Sequence, residues 1–206
     1  MNFDFSEEQV MLRDSVARFV QDDYDFDTRC KIVATDAGMS AANWQTFADL
    51  GWLSIPFAEE HGGFGGGATD TMLVMEEFGK GLVAEPFLAS VVLFGGLLQS
   101  AGSSEQQAEY IPKIIDGSCQ GAFAYLERQS RYELADIKTT ATTEGDQVTL
   151  NGEKVVVING ANADHFIVSA RSAGEQFDEQ GISLYLVPAD AEGLERFSYR
   201  MMDGQV

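Results

Sequence analysis

The sequence predicts an α+β protein: an all-α helical domain over residues 1–117, then an antiparallel β-sandwich or barrel domain over residues 118–206. Three observations carry this. Upstream of Gly117-Ser118, apolar residues recur at the three- and four-residue spacing of a helix face. Downstream, short runs rich in β-branched residues alternate with Gly, Asn and Asp turn signals. No Pro/Ser-rich linker lies between the two stretches, so they are expected to pack directly on each other.

The first helix starts at Ser6, which has capping-box spacing to Gln9, and Leu12, Val16, Phe19 and Val20 form its apolar stripe. The acidic run Asp22-Asp23-Tyr24-Asp25-Phe26-Asp27 ends it, because like charges repel and Asp is a poor helix former. A second helix over 40–50 has Trp44, Phe47, Ala48 and Leu50 inward and Gly51 as its stop. Asp70 caps a third, with Leu73, Val74 and Phe78 inward and Gly79 near its end. Pro86 opens a fourth over 87–98, apolar all round and therefore buried. Ser103 with Gln106, or Ser104 with Gln107, begins a fifth toward Ile115, which Pro112 shortens or kinks.

Strands are expected over 122–126, 139–143, 148–150, 155–158, 166–170 and 182–187. Glu144-Gly145-Asp146 reads as a hairpin turn, and Asn151-Gly152 is the strongest short turn signal. The last residues, 201–206, carry no stop signal, so the chain is expected to end inside the β domain with apolar edges uncovered.

Composition narrows the function classes. With 45% hydrophobic residues and 14 Phe, the 206-residue chain is not disordered. Thirteen basic against 33 acidic residues give a net charge of −20, which offers no footprint for nucleic acid or an anionic membrane. No run of about 18 uncharged apolar residues exists to insert into a membrane, and the acidic start lacks the basic region of a secretory signal. Two cysteines, Cys30 and Cys119, are too few for a disulfide scaffold, so a reducing cytoplasm is expected.

Four motifs invite a chemical reading. Gly63-Phe64-Gly65-Gly66-Gly67-Ala68 has dinucleotide-fingerprint spacing before a helix. It lacks a preceding central strand and a βαβ frame, so a glycine-rich connection is favoured. Gly117-Ser118-Cys119-Gln120-Gly121 has the spacing of a nucleophile elbow, with His165 as a conceivable base. A helix precedes it and a strand follows, the reverse of an elbow, so a structural Cys is favoured. His61 and His165, without CxxC or HExxH, make no metal site. Arg128 and Arg131 present planar forks suited to phosphate. Pairing with Glu127, Glu133 or Asp136 is the equal alternative.

Several stretches together resemble the acyl-CoA dehydrogenase family. Phe5-Ser6-Glu7-Glu8-Gln9 resembles its N-terminal "F-[ST]-E-E-Q". Leu50-Gly51-Trp52-Leu53, Pro56 and Glu59-Glu60-His61-Gly62-Gly63 with Gly65 are similar to its "L-G-[LW]-…-P-E-E-[YH]-G-G-x-G" loop. Leu150-Asn151-Gly152-Glu153-Lys154 matches its "L-N-G-x-K" turn, and 163–171 its "A-D-x-x-[IL]-V-x-A-R" strand. The resemblance covers essentially the whole chain. Within the family, residues 57–67 and 127–136 are most similar to the pimeloyl-CoA dehydrogenase small subunits.

The resemblance implies a helical domain and a β domain, followed by a C-terminal four-helix domain that these 206 residues lack. The family's catalytic Glu usually sits in that missing part, so no catalytic residue is assigned. The implied reaction is α,β-desaturation of an acyl-CoA thioester. A carboxylate takes the α-proton, the β-hydride passes to FAD, and the electrons leave to an electron-transferring flavoprotein. The implied cofactor-binding residues are Tyr125, Leu126 and Glu127, which match "[ACY]-x-T-E-P-x-x-G-S-D", and Val156, Val157 and Ile158, which match "K-x-W-I-[ST]-N". Arg128, Arg131 and Tyr132 are the candidate substrate-binding residues, with Arg131 replacing lost polar contacts at a phosphate of FAD or CoA.

This sequence departs from the pattern at telling places. Leu126 stands for the family's Thr, Val156 for its Trp, Ile158 for its hydroxyl residue, and Arg131-Tyr132-Glu133 for "G-S-D". Two functions therefore remain open: an FAD-dependent acyl-CoA dehydrogenase seen through its first two domains, or a flavin-poor partner subunit of a heteromeric one. The implied partners are acyl-CoA, an electron-transferring flavoprotein, and further copies of the chain or a sister subunit.

Overall fold

The computed structural model describes residues 4–206; Met1, Asn2 and Phe3, the first three residues of the acidic start, lie outside the described residues. Helix α1 (Glu7–Asp23) begins with the expected capping box. Ser6 Oγ accepts from Gln9 N at 3.2 Å, and Gln9 Oε1 accepts from Ser6 N at 3.1 Å. The acidic run does end α1, but it also starts a helix the sequence reading missed, α2 (Phe26–Val33). Asp25 Oδ1 accepts from Thr28 N at 2.7 Å, so the residue that reads as a breaker acts as a cap.

Helix α3 (Ala41–Asp49) is capped by Ser40, and Gly51 follows it at φ +78°. Helix α4 (Ala68–Gly81) starts two residues before Asp70, which is not its N-cap. Gly67 holds that place, and Asp70 Oδ2 reaches back to accept from Gly67 N at 2.8 Å. The segment Phe87–Gly95 is a wide π-helical stretch that runs into α5 (Gly96–Ala101), with six of its nine residues buried as its apolar composition requires. Helix α6 (Ser104–Ile115) takes the Ser103–Gln106 register and continues through Pro112.

These helices close on an aromatic core. Phe47 stacks on Phe78 with centroids 4.8 Å apart, and Phe19 meets Phe47 edge-on at 5.2 Å. Trp52, Phe57, Phe87 and Phe94 are almost wholly buried in the same cluster. Each such side chain contributes about 1.5–3 kcal/mol by leaving water.

The sheet comprises β1 (Gly121–Ala124), β2 (Thr140–Glu144), β3 (Gln147–Asn151), β4 (His165–Arg171) and β5 (Ile182–Pro188). It is mixed, which corrects the antiparallel expectation. Strand β4 pairs antiparallel with β5 along its whole length, and parallel with β1 at His165–Val168 and with β2 at Arg171. A strand has two edges, so β1 and the start of β2 lie along the one that β5 leaves open. Period-two patterning cannot distinguish these directions. The β2–β3 hairpin turns at Gly145-Asp146 as expected, with Gly145 at φ +62°. Strand β1 packs on the π-helical stretch, where a Cβ at Gly121 would overlap the Phe94 ring.

The expected strand over 155–158 does not form. Val156 sits at φ +52°, a conformation that no ladder continues through and that β-branched residues rarely adopt. Asn151-Gly152 therefore ends β3 without turning into another strand. Among the described residues, no helix is long and apolar enough to cross a membrane.

Candidate functional site

The two segments expected to flank a flavin are brought together. Strand β1 ends at Ala124, and the chain then leaves the ladder. Leu126 O accepts from Val155 N at 2.9 Å, joining the segments through the backbone. Beneath this contact Lys154 Nζ lies 2.8 Å from Glu127 Oε1, with both side chains less than a tenth exposed.

Glu127 is a structural hub. Its carboxylate also accepts from Lys138 N at 2.8 Å, Thr139 N at 3.0 Å and Gln129 Nε2 at 2.9 Å. Burial raises its pKa, but the donors of Lys154, Gln129, Thr139 and Lys138 outweigh that and bring it down to about 2. Desolvation lowers the Lys154 pKa, with the Glu127 carboxylate pulling it back up. The Glu127 N–H is bonded to Ser130 Oγ at 3.1 Å, so neither its side chain nor its amide is spare for a ligand.

The other expected cofactor residues divide by exposure. Tyr125 stacks on Phe123 at 4.8 Å. Leu126 is half-buried, Val156 and Ile158 are exposed, and Val157 turns inward onto the small sheet cluster of Ala122, Ala163 and Phe166. After them Asn159 is buried at φ +63°, its Nδ2 donating to Ser90 Oγ and to Gln120 Oε1, both at 3.3 Å. Ser90 Oγ in turn accepts from Gly121 N and donates to Gly121 O, both at 3.1 Å. This buried polar junction fixes the 156–159 segment against the π-helical stretch and β1.

A cavity of about 700 Å³ opens beside that junction. Ile158 and Asn159 line it on one side, the chain from Leu82 to Ala89 on another, and Met201 to Val206 close it on a third. Sequence reading missed its two buried charged residues, Arg29 and Glu85. Arg29 donates to Leu82 O and Asp203 O, both at 2.8 Å. Glu85 Oε1 accepts from Ser40 N at 3.2 Å and Asn43 Nδ2 at 3.1 Å, while its buried Oε2 has no partner. Burial pushes the nearby Tyr24 hydroxyl pKa up, and the Glu85 charge adds to it. Glu85 had one sequence signal, a lone charge within an otherwise apolar stretch, whereas Arg29 sits among other charged residues and had none.

The three candidate substrate residues share one exposed loop. Arg128 pairs with Glu153 at 3.0 Å, not with the acids weighed from sequence, and both are well exposed. Tyr132 is 99% exposed. Arg131 is exposed and holds φ +47°, at the place where the resemblance has Gly. The left-handed backbone explains why a Gly suits that position.

The remaining motifs resolve physically. The N–H groups of Gly63, Phe64, Gly65 and Gly66 bond to Ala58 O, Ser54 O, Phe57 O and Ile55 O, so none is free to cradle a phosphate. Cys119 Sγ lies 3.7 Å from His165 Nδ1, yet it is buried, and burial raises its pKa to about 11, which makes it an inert thiol. His61 Nε2 faces Gln107 Oε1 at 3.3 Å. Among the described residues, no three His, Cys, Asp or Glu are grouped to hold a metal ion.

Comparison with known proteins decides the lineage. Residues 6–118 match the acyl-CoA dehydrogenase N-terminal domain, and residues 122–204 match the acyl-CoA dehydrogenase middle domain. The chain belongs to the acyl-CoA dehydrogenase family. A Bacillus subtilis relative, named as the probable acyl-CoA dehydrogenase YngJ, is 30% identical over 196 residues, covering 94% of this chain and 51% of that protein. The FAD complex of PigA superposes with a TM-score of 0.83 at 27% identity, over 94% of this chain and 51% of PigA. The ChsE4–ChsE5 complex from Mycobacterium tuberculosis does so at 0.81 and 26%, over 94% and 50%. The chain thus spans about half the length of the relatives it matches.

Proposed function

We propose that this chain is part of an acyl-CoA dehydrogenase that desaturates an acyl-CoA thioester with FAD. The observation that carries the reading is the shared wall of the cavity: Ile158, from a segment expected to bind flavin, lines a space of about 700 Å³ large enough for an acyl group. The residues fit a flat ring through apolar surface. Val156 and Ile158 expose their side chains beside Leu126, and the N–H groups of Leu126 and Ile158 are the donors the two segments would offer. FAD, when bound, supplies the acceptor for the β-hydride. Neither Leu126 nor Ile158 carries the hydroxyl that the family uses, so packing and main-chain groups bear the binding.

Arg131 and Tyr132, held out to solvent, are assigned to a phosphate of CoA or FAD. Arg131→Ala in the complete protein lowers flavin content or acyl-CoA affinity; no change in either removes that assignment. Electron-transferring flavoprotein is the expected acceptor, and the free thiols Cys30 and Cys119 accord with a cytoplasmic setting.

A second reading has its own support. The loss of side-chain contacts at Leu126, Val156 and Ile158, together with a structural relative that is itself a two-chain complex, favours a partner subunit that shares its flavin site with a sister chain. Absorbance of the purified complete protein near the flavin bands separates the two. Yellow protein from this gene alone supports the first, and flavin that appears only on co-expression with a sister chain supports the second.

A further inference from the structure

One buried side chain joins the two segments assigned to flavin. The Lys154 ammonium has three N–H donors, and three acceptors surround it: Tyr125 O at 3.5 Å, Glu127 Oε1 at 2.8 Å and Ser169 Oγ at 3.1 Å. The first two belong to the residues on either side of Leu126, and the third lies on β4. Glu127 is itself held by Lys138 N and Thr139 N, just ahead of β2. One residue after Lys154, Val155 N donates to Leu126 O at 2.9 Å. Side chain and backbone thus close around Leu126 and fix both segments to the sheet.

We propose that Lys154 is a positioning residue for the flavin, setting where the Leu126 and Ile158 N–H groups point. The inference rests on the FAD reading above. With its three donors taken by the protein, the ammonium has none left for the cofactor, so it acts through the segments it holds. A buried ion pair kept only for stability can be replaced by apolar groups of similar volume at little cost. A positioning pair cannot, because apolar groups impose no direction on the backbone they touch.

The test compares FAD affinity with stability in the complete protein, together with the chains it is isolated with. Each protein is stripped of flavin, melted, and titrated with FAD by fluorescence quenching while the visible flavin bands are recorded. Lys154→Met is expected to bind FAD about tenfold or more weaker, with shifted bands. Adding Glu127→Gln removes the stranded carboxylate and restores the net charge of the site. Stability then returns in part, while affinity and bands do not. Phe47→Leu, in the aromatic core of the helices, is expected to melt lower and bind FAD as the wild type does. Ser169→Ala removes one acceptor without stranding a charge and is expected to weaken FAD binding about threefold, which serves if Lys154→Met does not fold. Wild-type affinity in Lys154→Met, or in Ser169→Ala where Lys154→Met does not fold, overturns the proposal and leaves the FAD reading standing. So does an affinity that recovers with stability in the double variant or falls with it in Phe47→Leu. A wild-type protein that takes up no FAD with all its chains present overturns both.

Discussion

Replacing Lys154 with Met tests what holds the segments around residues 125–127 and 154–158 in place. The variant keeps the length of the side chain and removes its charge. In the wild-type protein Lys154 Nζ sits 2.8 Å from Glu127 Oε1, with 8% and 3% of the two side chains exposed. Removing one partner of a buried pair costs about 3–5 kcal/mol. Glu127 retains its bonds from Lys138 N, Thr139 N and Gln129 Nε2, so the lower end, about 3 kcal/mol, applies. Lys154 is one of the donors, with Gln129, Thr139 and Lys138, that together hold the Glu127 pKa at about 2 against its burial. For a chain of this size, a loss of about 3 kcal/mol corresponds to a melting temperature lower by roughly 6–12 °C. The pH dependence follows from the same group. Its folded pKa is depressed, so its stabilisation is fully present above about 4.5 and lost as pH falls toward 2. In Lys154→Met the Glu127 pKa moves up, and acid destabilisation starts at higher pH. Thermal melts of the complete protein across that range, followed by circular dichroism, read both effects. Adding Glu127→Gln to Lys154→Met removes the stranded charge and restores part of the loss. A single variant that melts within about 1 °C of wild type at neutral pH would sink the argument, since a buried unpaired carboxylate cannot be that cheap.

Ser90→Ala should cost about 1–3 kcal/mol in urea unfolding, because it orphans Gly121 N and takes a partner from Asn159. Arg171→Lys should cost a similar amount, about 2 kcal/mol, and expose the 172–181 loop to proteolysis. The Arg171 fork alone donates to four carbonyls, those of Ala135, Gln176, Asp178 and Gln180, and an ammonium cannot span them. Thiol labelling near pH 8 should modify Cys30 in the native protein and Cys119 only after denaturation, as mass spectrometry would show by tryptic peptide. Modification of both at equal rates would mean the Cys119 site is open to solvent.

Much of this fold was readable because local chemistry agreed with global packing. The Ser6 and Ser103 boxes, the Gly145 turn and the β-branched runs of β4 and β5 carry their instructions within a few residues. What was missed depends on distance or context. Asp25 is a breaker by propensity and a cap by position, and only the formed α2 distinguishes these roles. Val155-Val156-Val157-Ile158 has the composition of a strand, but the tie from Val155 N to Leu126 O and the left-handed Val156 bend it away from any ladder. The site shows the same division. Motif order brought residues 125–127 and 156–158 to notice. Arg29 and Glu85 escaped it because their significance comes from a cavity assembled from segments far apart in the chain. Glu127 was noticed for a cofactor and proves to serve the scaffold.

The Ser90–Gly121–Asn159 junction has a consequence for how the cavity treats guests of different size. It pins two of the three walls to each other through buried bonds that leave no room for sliding. The third wall, Met201 to Val206, is tied by the bonds from Arg29 to Asp203 O and from Gln205 Nε2 to Ala84 O, with Arg200 anchoring its Gly204 carbonyl from outside. All three walls are thus held by hydrogen bonds, so on the proposed reading a bulkier acyl chain would meet a space fixed in size rather than one that swells to fit it.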